Sequence, residues 1–231
     1  MSHIHFIGGE KGGVGKSVVA RVLTQRLLDL NLPLAAADAD SSHGTLARSY
    51  AQYTQRVNLE DCSSADEIMN RAMADERRVI VDLPAQSLRH LQNWFEGAAI
   101  MRFARELDLQ ITLWHVTDGG FDSVADLERM LNLLGSQLSY IVVKNHGRAR
   151  DFSQFEDSTA KHALLLLNGK ILELPELDSA TMYKIDRFGS SFWAAVNNAD
   201  GAWVLTPMER QRVRVWLERC YQQLDILGEA I

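Results

Sequence analysis

The stretch Lys11-Gly12-Gly13-Val14-Gly15-Lys16-Ser17 constrains this chain more than any other. Its glycines let the backbone fold tightly around an anion and aim several N–H groups at it. The loop stands between a short apolar run, His3 to Gly8, and a segment with apolar residues at helical spacing, Val18, Val19, Val22, Leu23, Leu27 and Leu30. A helix starting near Lys16 turns its positive N-terminal end toward the same spot. Leu32 to Asp38 then reads as a second strand that ends in acid. Strand, glycine loop, helix and strand make a βαβ unit whose loop suits a phosphate chain. Lys16 supplies a point charge for β- and γ-phosphates, and the Ser17 hydroxyl suits Mg²⁺. The strict phosphate-loop pattern asks for glycine at position 10, where this chain has Glu10.

The alternation continues downstream. Ser64 to Ala74 reads as a helix capped by Ser63 or Ser64 with Asp66 or Glu67 three residues on. Arg78 to Leu83 is a third strand ending in acid, and Leu88 to Leu107 is one long helix or two short ones broken at Gly97. Leu109 to Val116 is a fourth strand, followed by a helix over Ser123 to Leu134 with Ser123 and Asp126 as its capping pair. Leu138 to Val143 and Lys170 to Leu174 complete six strands, and Thr206-Pro207-Met208-Glu209 opens a last helix that runs to about Leu227. This order predicts an α/β fold, a mostly parallel, doubly wound sheet with helices on both faces. The polar span Gly147 to Ser158 reads as a functional or dimer-facing loop within one domain covering residues 1–231.

Composition narrows the class. The net charge of -6 argues against a uniformly basic nucleic-acid binder while leaving room for a local basic stripe. Cys62 and Cys220 lie far apart without metal-ligand spacing, which suits free thiols in a reducing compartment. The N-terminus lacks a basic region ahead of its apolar run, and runs such as Ala163 to Leu167 fall short of the roughly 20 residues a membrane span needs. The expectation is a soluble, cytoplasmic protein.

A second lysine two residues into the loop, followed by GGxGK[ST], resembles the deviant Walker A signature of the ParA/MinD family of P-loop ATPases. The resemblance implies that ATP and Mg²⁺ are bound, with Gly12, Gly13, Val14, Gly15, Lys16, Ser17 and Val18 around the phosphates. Two strand-end acids agree with it, since ligands in open α/β sheets sit beyond the carboxyl ends of the strands. By the resemblance Asp40 orients the attacking water, Ser17, Asp38 and Asp82 hold Mg²⁺ and its waters, and Asp82-Leu83-Pro84 senses the γ-phosphate. Taken singly, each acid could equally be a strand-end or helix-capping carboxylate. Lys11 could fold back on its own nucleotide or point away; in the resembled family it crosses to the partner's phosphates, which implies a homodimer formed on ATP binding. Asn145, closing the fifth strand, and Pro175, in the Leu174-Pro175-Glu176 turn, would flank adenine, although an asparagine there also suits a strand-to-loop turn. Where typical partition members continue DxD with Pro-Gln, this chain has Ser41-Ser42-His43.

The family serves many cargoes, so site and fold do not name the task. One reading is a partition or positioning ATPase that binds DNA non-specifically through Arg210, Arg212, Arg214 and Arg219 and answers to a stimulating partner protein. Another, from the look of VVKNHGRARDFSQFEDS, is an accessory ATPase of conjugative transfer or mobilisation, similar to the TraL/MobD group. A nucleotide-gated scaffold with little hydrolysis and no direct DNA binding is the alternative. A membrane-cycling role is disfavoured, because the tail YQQLDILGEAI carries acids and no lysine.

Overall fold

The computed structural model describes residues 2–74, 77–201 and 204–228. Strands β1 (His3–Gly8), β2 (Leu34–Asp38), β3 (Thr54–Arg56), β4 (Arg78–Asp82), β5 (Gln110–Thr117), β6 (Ser139–Asn145) and β7 (Lys170–Leu174) form one sheet. Their order is β3-β2-β4-β1-β5-β6-β7, and every neighbouring pair runs parallel. Between and beyond them lie α1 (Lys16–Asp29), α2 (Thr45–Ser49), α3 (Cys62–Met73), α4 (Leu88–Gly97), α5 (Ile100–Glu106), α6 (Phe121–Leu134), α7 (Ser153–Glu156), α8 (Thr159–Leu166), α9 (Ser179–Phe188), α10 (Phe192–Asn197) and α11 (Pro207–Asp225).

Alternation along the strands sorts the core into two layers. Ile4, Phe6, Val79, Val81, Ile111, Leu113, Tyr140 and Val142 face one side, where α3, α4, α5, α6 and α8 bury them. Ile7, Ile80, Trp114, Val116, Ile141 and Val143 face the other, under α1, α9, α10 and α11. Parallel strands covered on both sides have no wet face, which is why the interior of β4 is an unbroken apolar run and why even His3 and His5 of β1 are buried. The arrangement brings the carboxyl ends of β1, β2, β4, β5 and β6 to one rim, with β1 at the centre.

Several local expectations change. The sheet has a seventh strand, β3, too short to announce itself in sequence. Helix α3 is capped by Asp61, whose carboxylate accepts from the Ser63 N–H at 3.0 Å, so Ser63 and Ser64 lie inside the helix. Helix α6 starts earlier, at Phe121, and Ser123 is buried with its hydroxyl donating to Thr117 Oγ1 at 2.9 Å instead of capping. The span 88–107 is two helices; Gly97 ends the first, and the break is made by Ala99 at φ 48°. The polar span 147–158 contains α7. The capping box of Thr206 and Glu209 forms as read, with Pro207 at the first helical position. No helix among the described residues is long and apolar enough to cross a membrane.

Candidate functional site

The loop between β1 and α1 sits at the centre of the strand-end rim. Gly9 has φ 139°, and a Cβ there would meet the Val116 carbonyl oxygen at 2.9 Å, so the glycine that the turn requires stands at 9 and not at 10. Glu10 is thereby free to carry a side chain, which explains the departure from the strict pattern. Gly15 has φ 102°, and a Cβ there would run into the Asn145 amide. Around Gly12 and Gly13 nothing lies within 4 Å of an added Cβ, which leaves the concave side of the loop open. The Lys16 ammonium bends back to donate to the Lys11 carbonyl at 3.0 Å, closing the loop on itself. Burial lowers the pKa of Lys16, while Asp82, Asp40 and Glu10 work to keep it charged.

The acids differ sharply in their surroundings. Asp82 is buried, and neither carboxylate oxygen has a hydrogen-bond partner among the described residues. Burial pushes its pKa up to about 7, opposed by Ser17, which faces it without completing a hydrogen bond, and by Lys16; Asp38 and Asp40 add to the rise. Asp38 is equally buried but satisfied: it accepts from the Asp40 N–H at 3.1 Å and the Ala47 N–H at 2.8 Å. Burial raises its pKa against the pull of those two amides. Asp40 is bound within its own turn, accepting from the Ser42 N–H, the Ser42 hydroxyl and the His43 N–H, with His43 Nδ1 at 3.3 Å. Burial alone would raise its pKa, but those donors outweigh it and hold the carboxyl below the usual range. Ser42 and His43 thus fasten Asp40.

Lys11 reaches Asp118, just past β5, in an ion pair of 2.6 Å. Donating this hydrogen bond to Asp118 raises the Lys11 pKa; at Asp118 burial works upward, but Lys11 and the Gly120 amide win and lower it. Asn145 is buried against the loop, donating to the Val14 carbonyl at 2.7 Å and accepting from the Gly147 N–H at 3.0 Å. Its amide therefore fixes the loop. The Pro175 carbonyl accepts from Trp216 Nε1 at 2.7 Å, tying the turn after β7 to α11. Val14 is buried, and Val18 lies at the start of α1 beside the loop.

The structure thus gathers Lys11, Lys16, Ser17, Asp38, Asp40, Asp82 and Asn145 at one rim. The sequence reading missed Asp118 and the role of Glu10, which accepts from the Leu88 N–H at 3.0 Å. Asp118 carried the same signal as Asp38 and Asp82, an acid at a strand end. The remote partner of Glu10 had no local signature.

A hard divalent cation suits this rim. Among the described residues no group of three or more His, Cys, Asp or Glu side chains is placed to grip a metal alone. Mg²⁺ does not need one, since it favours one or two protein oxygens together with substrate phosphates and waters. The unpartnered Asp82 carboxylate facing Ser17 meets that description.

A seven-stranded parallel sheet with a glycine-lysine loop at its centre defines the class: the fold is that of the ParA/MinD P-loop ATPases. Among solved structures, the septum site-determining protein MinD of Pyrococcus horikoshii, complexed with Mg-ADP, superposes with a TM-score of 0.57 at 16% identity, covering 99% of this chain and 100% of that one. In sequence the chain is similar to protein TraL of Escherichia coli, 23% identical over 250 residues and covering 97% of this chain and 98% of TraL. It is also similar to protein MobD of Acidithiobacillus ferrooxidans, 22% identical over 182 residues, covering 75% of this chain and 78% of MobD. No protein-family model matches the chain.

Proposed function

We propose that this chain is an ATP-dependent dimerising switch that binds Mg-ATP, hydrolyses it slowly, and serves DNA transfer, partition or positioning. The observation that carries the reading is the buried, unpartnered Asp82 carboxylate facing Ser17 beside Lys16. An acid buried without a partner costs stability unless something else supplies its counter-charge. Gly12 to Val18 would wrap the phosphates, Lys16 would neutralise their charge, and Ser17 with Asp82 would hold Mg²⁺. When bound, the cation would neutralise the negative charge of the phosphates. Asp40, fixed by Ser42 and His43, would accept a hydrogen bond from the attacking water and set its direction. Asp38 organises the Asp40 turn through the Asp40 amide, and Asn145 holds the phosphate loop, with adenine lying toward Asn145 and Pro175.

Lys11 would act on the phosphates of a second copy, because phosphoryl transfer gains mostly from positioned positive charge. Whole-length similarity to TraL, together with the MobD likeness, favours a transfer or mobilisation setting over chromosome positioning. Non-specific DNA contact would fall to Arg212, Arg214 and Arg219, which lie on the solvent side of α11 while Val213, Trp216 and Cys220 face the core. A stimulating partner protein would then set the rate.

Light scattering with Mg-ATP, with Mg-ADP and without nucleotide tests the reading. A dimer formed only with ATP, and lost in Lys11→Ala, is the expected result; a monomer in every condition would sink it. The fastening of Asp40 by Ser42 and His43 favours a second reading, a nucleotide-gated scaffold that barely hydrolyses. Under that reading Asp40→Ala leaves turnover unchanged, whereas under the first it suppresses turnover and the dimer accumulates.

A further inference from the structure

We infer that Glu10 is the positioning residue that carries occupancy of the phosphate loop to helix α4, resting on the reading of that loop as the ATP site. Two bonds join residue 10 to the start of α4. Its carboxylate accepts from the Leu88 N–H at 3.0 Å, and its main-chain carbonyl accepts from the Gln86 N–H at 3.1 Å. The first turn of α4 depends on that carboxylate: Ser87 at the N-cap makes no side-chain capping bond, and no acid stands in the turn itself. A helix normally satisfies its leading amides from its own N-cap. Here the acceptor comes from a loop 78 residues earlier in the chain.

The seam between loop and helix is thin. A cavity of about 20 Å³ lies beneath it, bounded by Gly8, Gly9, Glu10, Ser87, Leu88 and His115 among others. The connecting segment from Asp82 to α4 includes Gln86 at φ 58°, a left-handed conformation that a non-glycine residue holds only when its surroundings enforce it. The Glu10 carbonyl is one of the groups enforcing it. Two hydrogen bonds thus join loop and helix across the cavity.

Glu10 is the chain neighbour of Lys11, whose carbonyl accepts from the Lys16 ammonium at 3.0 Å, so the loop lysine and the cap of α4 are joined through adjacent residues. Phosphates bound at Lys16 would draw that ammonium from the Lys11 carbonyl and fix the loop around Glu10. Binding would thus tighten the cap and steady Gln86 to Leu91. The exposed side of α4, carrying Arg89, Asn93 and Glu96, is where a change of state would become readable from outside.

Amide hydrogen exchange on the full chain tests this, using wild type, Glu10→Ala and Glu10→Gln with and without Mg-ATP, beside ATP affinity and turnover. Without nucleotide, Glu10→Ala should speed exchange in peptides spanning 86–91 by roughly five- to tenfold, the loss of one cap, and Glu10→Gln, which keeps the acceptor oxygen, should restore most of it. With Mg-ATP, wild type should gain protection in both 9–17 and 86–91. Glu10→Ala should gain it in 9–17 alone, with affinity within about threefold of wild type and turnover down roughly tenfold, a split that general loosening of the fold would not produce. Protection of 86–91 by ATP in Glu10→Ala equal to wild type would overturn the relay alone. Absence of ATP protection at 9–17 in wild type would overturn the ATP reading and the relay with it, even with the nucleotide-free cap effect intact.

Discussion

Lys11 is held by Asp118 of its own chain at 2.6 Å, half in solvent. An ion pair so placed is worth on the order of 0.5–1 kcal/mol, a modest restraint on a lysine proposed to act on a second copy. Asp118→Ala should therefore strengthen Mg-ATP-driven dimerisation by about two- to fivefold in sedimentation equilibrium. Weaker dimerisation in that variant would mean that the pair orients Lys11 instead of detaining it. Asp82 makes the complementary case. Asp82→Asn removes a buried charge with no hydrogen-bond partner, so the nucleotide-free protein should gain about 1 kcal/mol in thermal unfolding while Mg-dependent turnover falls by about a hundredfold or more. A less stable variant would show that the carboxylate is satisfied in a way the geometry does not display. At this scale the sequence was informative wherever chemistry is written in local spacing, as in Lys16, Ser17 and the acids at strand ends. It was silent where two distant residues meet, as Glu10 meets Leu88 and Lys11 meets Asp118.

Among the elements, α11 illustrates how a helix can announce its start and hide its purpose. Thr206, Pro207 and Glu209 spell a capping box, and the structure forms it, with the Thr206 hydroxyl accepting from the Glu209 N–H at 3.3 Å. Thr206→Ala should cost about 1 kcal/mol of global stability in urea unfolding, since α11 also carries Trp216 to the Pro175 carbonyl beside the site. A change below about 0.3 kcal/mol would indicate that Glu209 alone maintains the cap. The elements that escaped the sequence reading did so for physical reasons. Strand β3 has only three residues, and α8 (TAKHALLL) is too short and too broadly apolar to show a face. Helix α6 starts at Phe121 because Ser123, which looked like a cap, is drawn inward by Thr117 and His115.

For the molecule as a whole, buried imidazoles set the response to acid. Burial holds His3 and His115 at about 4 and His5 well below its ordinary value. These three rings bind fewer protons in the folded state than in the unfolded chain across that interval; Asp82, held up at about 7, works the other way and offsets only one of them. Stability is present above about pH 6.5 and is lost as pH falls from there toward 4. Melting temperature should drop across that window, and His115→Gln, which keeps a donor for the Ser123 carbonyl now 2.9 Å from Nε2, should flatten the fall. An unchanged slope would assign the acid response to the other two histidines. The strand order has a consequence of its own for a chain still being made. Strand β1 occupies the middle of the sheet and pairs with residues 78–82 on one side and 110–115 on the other. During synthesis the phosphate loop emerges early, but its walls arrive in sequence, Asp38 and Asp82 first and Asp118 only after β5. A nascent chain ending before Gln110 would thus display the signature lysines and hold no nucleotide, so competence to bind would appear as a late event of translation.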